Sequence, residues 1–382
     1  MLRLTIWMNM PSFYQCDLFR ALEAREDVDL EVIFAKDLTR DRVELGWHND
    51  LKGFSYRFLD HRNMRADAVR LARSQRKRFH VINGLWSEPA FVAAVMTLAA
   101  SNSKYAIYSE APDPRQRRSM IKRAVRLSLG KMIAPRAAGA LSISRLAAEF
   151  FKSTGVADPK IYPFGYFRSC AAIPNSPSKT DNRIEVVFVG QLVHRKGIDL
   201  LIDAMVPLFG QHPSVFLMMI GSGEMSAEIR AKAATLGVLD RLVFEGVMPA
   251  QQIPQRLARA DVLVLPSRWD GWGMVVNEAL SVGLPVIVSD SCGAADLVTN
   301  GVNGFVFRSE DASDLNQCLA SFLDRRNDWP LFRLNAAATG KRISIAEVTP
   351  YLVKCLNHMT GVAAERPQPP WIVLDHPQAA NA

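Results

Sequence analysis

The sequence predicts an α/β protein made of two doubly wound domains, each built on a parallel β-sheet, that face each other across a cleft. Three observations support this fold class. The 382 residues are too many for one core and suit two domains of roughly 150–200 residues. Short apolar runs alternate with helix-length segments along both halves, as in parallel sheets covered by helices. A polar stretch rich in Pro and Ser separates the halves at 169–183.

The predicted elements follow in a regular order. Short apolar runs bounded by polar or turn residues are interpreted as buried strands. In the first domain, over 1–168, the predicted strands are residues 4–7, 30–34, 80–82, 105–108 and 140–143. After a linker over 169–183, the second domain, over 184–345, has predicted strands at 185–189, 215–220, 242–244, 262–265, 286–289 and 305–307. We expect a helix over 346–360 and a disordered tail over 361–382.

Composition excludes several classes of protein. Hydrophobic residues make up 49% of the chain and charged residues 22%, unlike a disordered, collagen-like or disulfide-scaffold protein. No apolar run reaches the roughly 18 residues that span a bilayer, and we expect no secretory signal. Scattered cysteines favour a reducing compartment. We therefore predict a cytoplasmic protein, with peripheral attachment to the cytoplasmic face of a membrane left open.

A glycine-rich loop in the second half predicts an anion site. The predicted strand at 262–265 leads into Asp270, Gly271, Trp272 and Gly273, and a helix should begin near Met274. The glycines let a ligand approach backbone N–H groups, and the helix N-terminus adds partial positive charge that suits a diphosphate. Such turns also serve ordinary strand-to-helix connections, so the loop alone is a weak signal.

The spacing of two carboxylates makes this signal more specific. Glu278 follows Asp270 after seven intervening residues and precedes a Gly-Leu-Pro-Val-Ile segment. It should lie about one turn into the helix, where its carboxylate can accept hydrogen bonds from sugar hydroxyls beyond the phosphates. The alternative reading of the segment is an ordinary connection without a ligand.

A second segment, over 186–205, contributes cations. A predicted strand ends at Gly190, and a basic loop with Arg195 and Lys196 precedes Gly197 and an amphipathic helix. Two cations facing a phosphate site would neutralise charge that builds on a departing diphosphate. The alternative is a solvated pair of loop residues.

Two further strand ends complete the predicted donor-binding surface. The run MMIGSGEM gives a strand, a turn with Gly221 and Gly223, and the start of a helix. Gly246 and Val247 end another strand, where a nucleotide base could stack or bond to the backbone.

Together and in this order, these motifs resemble the retaining glycosyltransferases of family four. They are G-x-L-x-x-x-K-G from Gly190 to Gly197, GSGE from Gly221, the Phe-x-Gly strand end, and the paired acidic motif. The resemblance covers roughly 185–307 and implies the GT-B fold. It also implies that Glu278 binds the nucleotide ribose, Asp270 the transferred sugar and Lys196 the diphosphate.

The chain departs from the family pattern at two positions. The first acidic residue of the motif is Asp270, one methylene shorter than the usual glutamate. Gln191 stands where a basic residue is common, and Arg195 would supply the missing charge. We include Gly190 and Gln191 among the predicted donor-binding residues.

The first half carries the predicted acceptor site. The loop after the first strand contains Ser12, Phe13 and Tyr14, which we assign to acceptor binding in place of the family's glycine pair. Glu110 stands near the family's usual histidine and could orient a sugar hydroxyl or the acceptor, although a helix-capping or solvated glutamate is an equal alternative. Ser144, with Arg145 beside it, fits a serine that follows a later strand in the family.

Charge is distributed unevenly along the chain. The net charge is +8, and all of the excess positive charge lies before residue 173. Residues 115–136 hold eight Lys or Arg and no acid, with apolar positions at helical spacing. A basic amphipathic helix suits an anionic membrane surface, and an ordinary core-facing helix with a solvated basic face is the alternative.

We therefore predict a retaining, metal-independent glycosyltransferase of hexosyl type. It would move a sugar from a nucleotide diphosphate sugar to an acceptor hydroxyl, on a lipid-linked or cell-surface glycan precursor in polysaccharide biosynthesis. We predict no cofactor and no metal site, since the seven histidines form no ligand cluster. Of the candidate partners for the basic half, nucleic acid is the least favoured, and we predict no nucleic-acid partner. The alternatives are a GT-B nucleotide-sugar epimerase or hydrolase and a non-catalytic sugar-nucleotide binder.

Overall fold

The structure, a computed structural model, describes residues 1–40, 50–83, 88–115, 120–169 and 182–372. The chain divides into two compact units. The first contains residues 1–169 and 345–382, and the second contains residues 170–344. The predicted linker over 169–183 falls almost wholly on residues outside the described part.

The first unit is built on a parallel sheet with the order β3-β2-β1-β4-β5-β6-β7 in its described residues. The strands are β1 (Leu2–Met8), β2 (Val28–Phe34), β3 (Tyr56–Phe58), β4 (Phe79–Asn83), β5 (Tyr105–Glu110), β6 (Gly139–Ile143) and β7 (Ile161–Phe164). The five predicted strands are present, and the sequence analysis missed the two edge strands. β3 is short and exposed, and β7 contains Pro163, which a sheet tolerates at its edge.

Helices cover this sheet, and one of them, α12, follows the second unit in the sequence. They are α1 (Phe13–Glu23), α2 (Met64–Ser74), α3 (Pro89–Ala100), α4 (Met120–Ile133), α5 (Ser144–Ser153) and α12 (Ile345–Thr360). On α12, the Tyr351 hydroxyl donates to the Pro163 carbonyl at 2.9 Å, and His358 Nδ1 lies 2.6 Å from the Tyr162 hydroxyl. The separate C-terminal helix of the prediction is therefore part of the first unit.

The prediction of a disordered tail is wrong for residues 361–372. Trp371 is only 8% exposed, and its ring centroid lies 5.0 Å from that of Phe167 and 5.4 Å from that of Tyr351. Burial of this large aromatic side chain offsets part of the conformational entropy lost when the segment is ordered. Residues 373–382 lie outside the described residues.

The second unit has the strand order β10-β9-β8-β11-β12-β13, all parallel, in its described residues. The strands are β8 (Ile184–Val189), β9 (Val215–Ile220), β10 (Leu242–Gly246), β11 (Val262–Leu265), β12 (Val286–Ser289) and β13 (Gly304–Phe307). The six predicted strands coincide with these. Numbered from β8, the order is that of the doubly wound dinucleotide-binding fold. The strand order reverses between β8 and β11, which pair directly.

Six helices flank this sheet in the described part of the unit. They are α6 (Ile198–Gln211), α7 (Ser226–Thr235), α8 (Ile253–Leu257), α9 (Met274–Ser281), α10 (Ala312–Asp324) and α11 (Trp329–Arg342). One apolar cluster joins β8 and β9 to α6 and α10, with Phe188, Leu201 and Phe322 almost fully buried in it. This core fixes the carboxyl ends of β8 and β11, from which the site is built.

In the first unit, His80 is a buried and uncharged histidine. Its Nδ1 accepts a hydrogen bond from the Trp7 indole N–H at 3.1 Å, and its Nε2 lies 3.2 Å from the Gln75 carbonyl. A proton on Nδ1 would face the indole N–H, so the charged ring has no place for its second proton. Burial, assisted by the charge of Arg78 and opposed by the bond to Gln75, lowers the pKa of His80 to about 4.

We expect His80 to make the protein less stable in acid. Because its pKa in the folded state lies below the unfolded value, the stabilisation is complete above about pH 6.5 and is lost as the pH falls towards about 4, by up to about 3 kcal/mol. His80→Gln retains an acceptor for Trp7 and cannot titrate. The free energy of unfolding from urea titrations should therefore fall less steeply with pH in this variant. Parallel pH profiles for the two proteins would contradict the assignment.

Candidate functional site

Two loops meet where the strand order of the second unit reverses. The loop after β8 carries Arg195 and Lys196 in a short 3-10 turn, and the loop after β11 carries Asp270. The Lys196 ammonium and the Asp270 carboxylate form an ion pair, and their side chains are 15% and 14% exposed. Two residues that the sequence analysis singled out from separate motifs are therefore in direct contact.

Glycine allows these loops to approach each other closely. Gly197 has φ +69°, and a Cβ atom built on it would lie 2.0 Å from the Pro266 carbonyl oxygen. The loop after β9 packs on the loop after β8 in the same way, because a Cβ on Gly221 would lie 1.9 Å from the Gly190 carbonyl oxygen and one on Gly223 would lie 2.3 Å from that of Leu192. The predicted glycines thus serve backbone-to-backbone packing at the site.

Another glycine lies at the N-cap of helix α9. Gly273 is its N-cap with φ +95°, and a Cβ there would lie 2.6 Å from Cys292 Sγ. No side chain caps this helix among the described residues. The first turn of α9, beginning at Met274 as predicted, therefore directs backbone N–H groups and partial positive charge to the same edge of the sheet as Lys196.

Trp272 and Glu278 are both buried, at 3% and 4% exposure. The Trp272 indole N–H donates to Asn277 at 2.8 Å, so its ring belongs to the protein interior. The predicted contact of Trp272 with the nucleotide sugar would therefore be made by its backbone. Glu278 lies in the second turn of α9, as predicted, and its carboxylate is buried.

The loop after β12 supports the Asp270 backbone from both sides, and the sequence analysis missed it. The Asp270 N–H donates to the Ser291 carbonyl at 3.1 Å, and the Gly293 N–H donates to the Asp270 carbonyl at 3.0 Å. A Cβ on Gly293 would lie 2.3 Å from the Gly271 carbonyl oxygen. Burial, then the charge of Asp270, raises the pKa of the Cys292 thiol well above its ordinary value. The one signal in the sequence was a glycine four residues after a predicted strand.

The remaining predicted donor residues lie at neighbouring strand ends. The Arg195 guanidinium donates to the Trp269 carbonyl at 2.9 Å, so it braces the loop after β11. The Gly221 N–H donates to the Gly246 carbonyl at 2.7 Å, and Val247 beside it is 73% exposed. An exposed apolar side chain at a strand end suits a stacked base. Gln191 is also exposed.

In the first unit, the predicted acceptor residues lie at the carboxyl ends of the strands. Ser12 is the N-cap of α1, and the Tyr14 ring centroid lies 5.7 Å from the Arg168 guanidinium. Glu110 ends β5 opposite Ile143 on β6. Burial, then the charge of Glu110, raises the pKa of the Tyr166 hydroxyl well above its ordinary value. The Phe13 side chain lies outside the described part of the structure.

Ser144 is buried and has a strained backbone. It begins α5 with φ +78°, a left-handed conformation that is unfavourable for a residue other than glycine, and it is 4% exposed. Among the described residues its hydroxyl has no hydrogen-bond partner.

The basic segment over 115–136 is described only in part. Residues 120–133 form α4, and residues 116–119 lie outside the described residues. Two apolar side chains of α4, Leu127 and Met132, are each 40% exposed. Among the described residues, no helix is long and apolar enough to cross a membrane, and no group of three or more His, Cys, Asp or Glu could hold a metal ion.

Comparison with solved structures identifies the fold. The chain is similar to the structure of Anabaena Alr3699/HepE in complex with UDP, with a TM-score of 0.73 at 18% identity over 94% of this chain and 100% of that one. It is also similar to the lipopolysaccharide outer core galactosyltransferase WaaB in its apo form, with a TM-score of 0.71 at 18% identity over 94% and 99% of the two chains. The chain has the GT-B fold, and the predicted fold class is confirmed.

Residues 171–337 match the model of the family described as Glycosyl transferases group 1. Two curated relatives are similar to part of the chain. The lipopolysaccharide core biosynthesis mannosyltransferase LpsB of Rhizobium meliloti is 29% identical over 166 residues, which is 41% of this chain and 47% of LpsB. A GDP-mannose-dependent alpha-(1-6)-phosphatidylinositol monomannoside mannosyltransferase of Mycolicibacterium smegmatis is 33% identical over 149 residues, 37% and 39% of the two chains. The matched regions thus span less than half the length of these relatives, and this chain is similar to group 1 glycosyltransferases over residues 171–337.

We expect the close approach at Gly197 to be visible in stability. Gly197→Ala combines an unfavourable φ with overlap against the Pro266 carbonyl. Gly237→Ala is a matched control, because Gly237 has the same φ of +69° and open space where the Cβ would lie. The control should lose about 1 kcal/mol of unfolding free energy from its backbone alone, and Gly197→Ala at least about 2 kcal/mol more, in urea titrations. Equal losses would show that the two loops are not in tight contact.

Proposed function

We propose that this protein is a retaining, metal-independent glycosyltransferase that moves a hexosyl group from a nucleoside diphosphate sugar to an acceptor hydroxyl. The observation that carries the proposal is the Lys196–Asp270 ion pair beside the N-terminus of α9, which no side chain in the described part of the chain caps. A cation, a carboxylate and a helix N-terminus at one edge of the sheet can hold a diphosphate and an adjoining sugar together. We assign donor binding to the second unit and acceptor binding to the first.

The chemistry required of these residues is electrostatic. As the bond between the anomeric carbon and the diphosphate oxygen breaks, negative charge grows on the diphosphate, and Lys196, Arg195 and the first-turn amides of α9 stabilise it. Glu278 accepts hydrogen bonds from the ribose, and Asp270 orients the sugar. The acceptor oxygen bonds to the anomeric carbon on the face that the diphosphate leaves, and its proton passes to a phosphate oxygen. No protein nucleophile is assigned.

The acceptor is a glycan or lipid-linked precursor of a polysaccharide or glycolipid. Support comes from the relatives, which are named as mannosyltransferases of lipopolysaccharide core and of phosphatidylinositol mannosides. The predicted acceptor residues Ser12, Tyr14 and Glu110 lie at the carboxyl ends of β1 and β5, the edge where doubly wound sheets bind ligands.

The test of the activity is a panel of nucleoside diphosphate sugars that includes GDP-mannose and UDP-glucose. A glycosyltransferase should release nucleoside diphosphate slowly from one member even without an acceptor, because water replaces the acceptor hydroxyl. A non-catalytic binder would release none. A non-hydrolysing epimerase would return an isomeric sugar nucleotide, and a hydrolysing epimerase would release an isomeric free sugar. Any of these three results would overturn the proposal.

We expect Glu278 to be essential for use of the donor. Glu278→Gln keeps the buried volume but replaces the charged acceptor with an amide, so kcat/KM for the donor should fall about 10- to 100-fold. Glu278→Ala should lose still more. Unfolding curves for both variants separate this loss from misfolding, and full activity in a folded Glu278→Ala protein would refute the assignment to the ribose.

We also propose that α4 attaches the first unit to an anionic membrane. Support comes from the exposed apolar side chains of Leu127 and Met132 beside exposed Lys131 and Arg136. Such a surface combines apolar insertion with attraction to acidic lipids. The excess positive charge of the first 172 residues acts in the same direction.

Vesicle binding tests this attachment. The double substitution of Leu127→Glu and Met132→Glu should lower binding to vesicles that contain phosphatidylglycerol by about tenfold or more in a sedimentation assay. The matched control replaces Leu331 and Leu334 on α11, which are 56% and 66% exposed in the second unit. Equal effects of the two double substitutions would contradict the assignment of the membrane surface to α4.

A further inference from the structure

One arginine ties together the two loops that form the site. The backbone N–H of Arg268, in the loop after β11, donates to the Arg195 carbonyl at 2.9 Å. Its guanidinium donates to the His194 carbonyl at 2.7 Å and also binds both carboxylate oxygens of Asp199, at 2.8 and 2.7 Å. Arg268 therefore spans from the loop after β11 to both the turn before α6 and the first turn of α6.

The Arg268–Asp199 pair has the geometry of a strong and directional interaction. The side chains are 12% and 22% exposed, so water screens the pair only weakly. Two parallel hydrogen bonds from a planar guanidinium fix direction as well as distance. Burial opposes ionisation of Asp199, but the hydrogen bonds and charge of Arg268 outweigh it and hold the pKa of the carboxyl below its ordinary value.

The two ion pairs between the loops have opposite polarity: each loop supplies the cation of one pair and the anion of the other. The segment after β8 contributes the cation Lys196 and the anion Asp199, and the loop after β11 contributes the cation Arg268 and the anion Asp270. Each loop thus pairs one positive and one negative group with the other loop. A shift of either loop that brought Arg268 towards Lys196 would place two cations close together, where they repel each other. Charge order therefore specifies how the loops align.

We propose that Arg268 and Asp199 are positioning residues whose ion pair fixes the place of the Lys196 ammonium relative to Asp270. Neither is assigned a contact with substrate. Their catalytic consequence rests on the proposed function, since a lysine that stabilises a leaving diphosphate must stand within hydrogen-bond reach of it. Displacements of about 1 Å at such positions cost up to about 100-fold in rate.

The first test measures the position of Lys196 without any substrate. A lysine-selective succinimidyl ester should acylate Lys196 slowly in the wild-type protein, because Asp270 engages its ammonium. Arg268→Lys keeps the charge and loses the planar fork, and Asp199→Asn keeps the shape and loses the charge. In both variants the rate of Lys196 acylation, measured by mass spectrometry against exposed Lys341, should rise about tenfold.

The matched control is Arg78→Lys in the first unit. Arg78 is 9% exposed and also makes a bidentate pair with an aspartate. Its Nη1 and Nη2 lie 2.8 and 3.1 Å from the two Asp29 carboxylate oxygens. Loss of this bidentate pair should leave the rate of Lys196 acylation unchanged. An unchanged rate in both Arg268→Lys and Asp199→Asn would overturn the proposal, and so would an equal rise in the control.

The second test is a double-mutant cycle on donor turnover. Arg268→Lys alone should lower kcat/KM by about tenfold, and it should have little further effect in a Lys196→Ala background, because it acts through the lysine. Additive losses would overturn the positioning role. A wild-type protein that turns over no nucleoside diphosphate sugar, yet shows faster Lys196 acylation in the two variants, would refute the proposed function and support the positioning role.

Discussion

The contact between the backbone of Gly197 and the carbonyl of Pro266 is the constraint on which the rest of the site depends. Only a residue without a side chain lets the loops after β8 and β11 lie this close. Once they are in contact, side chains a few residues away on each loop are within reach of one another, and oppositely charged groups become neighbours. The parallel sheet supplies the frame, because adjacent strands end at the same edge. The glycines determine how closely the loops at that edge can approach one another.

Electrostatics then gives this edge its chemical character. Lys196 and Asp270 are too buried for water to screen them well, and each is the other's counter-ion. A buried pair of this kind contributes little net stability, because the cost of removing two charges from water offsets their attraction. Its value lies in keeping a cation and a carboxylate available together at one place. The α9 N-terminus adds a fixed dipole that no change of pH can remove.

Local patterns in the sequence predicted most of the fold and the backbone of the site. All six strands of the second unit, the start of α9 and the glycine turns follow from short-range signals of hydrophobicity and turn chemistry. Arg268 and Asp199 could not be found in this way, since they are 69 residues apart and nothing local distinguishes a pairing arginine from a solvated one. The same holds for Trp371, whose burial depends on Phe167 and Tyr351, and for β7, whose proline argues against a strand until its place at the sheet edge is known.

Helix α12 makes the first unit discontinuous along the chain. It packs on β6 and β7 through Met359 and Tyr351, and Lys104 donates to the carbonyl of Thr360 at its end. Residues 165–344 therefore separate the last strand of the first sheet from the helix that covers part of it, and synthesis proceeds from the N-terminus while domains fold as they emerge. During that interval the nascent first sheet exposes the apolar surface that α12 later covers. The order of synthesis thus places the completion of the first unit after that of the second.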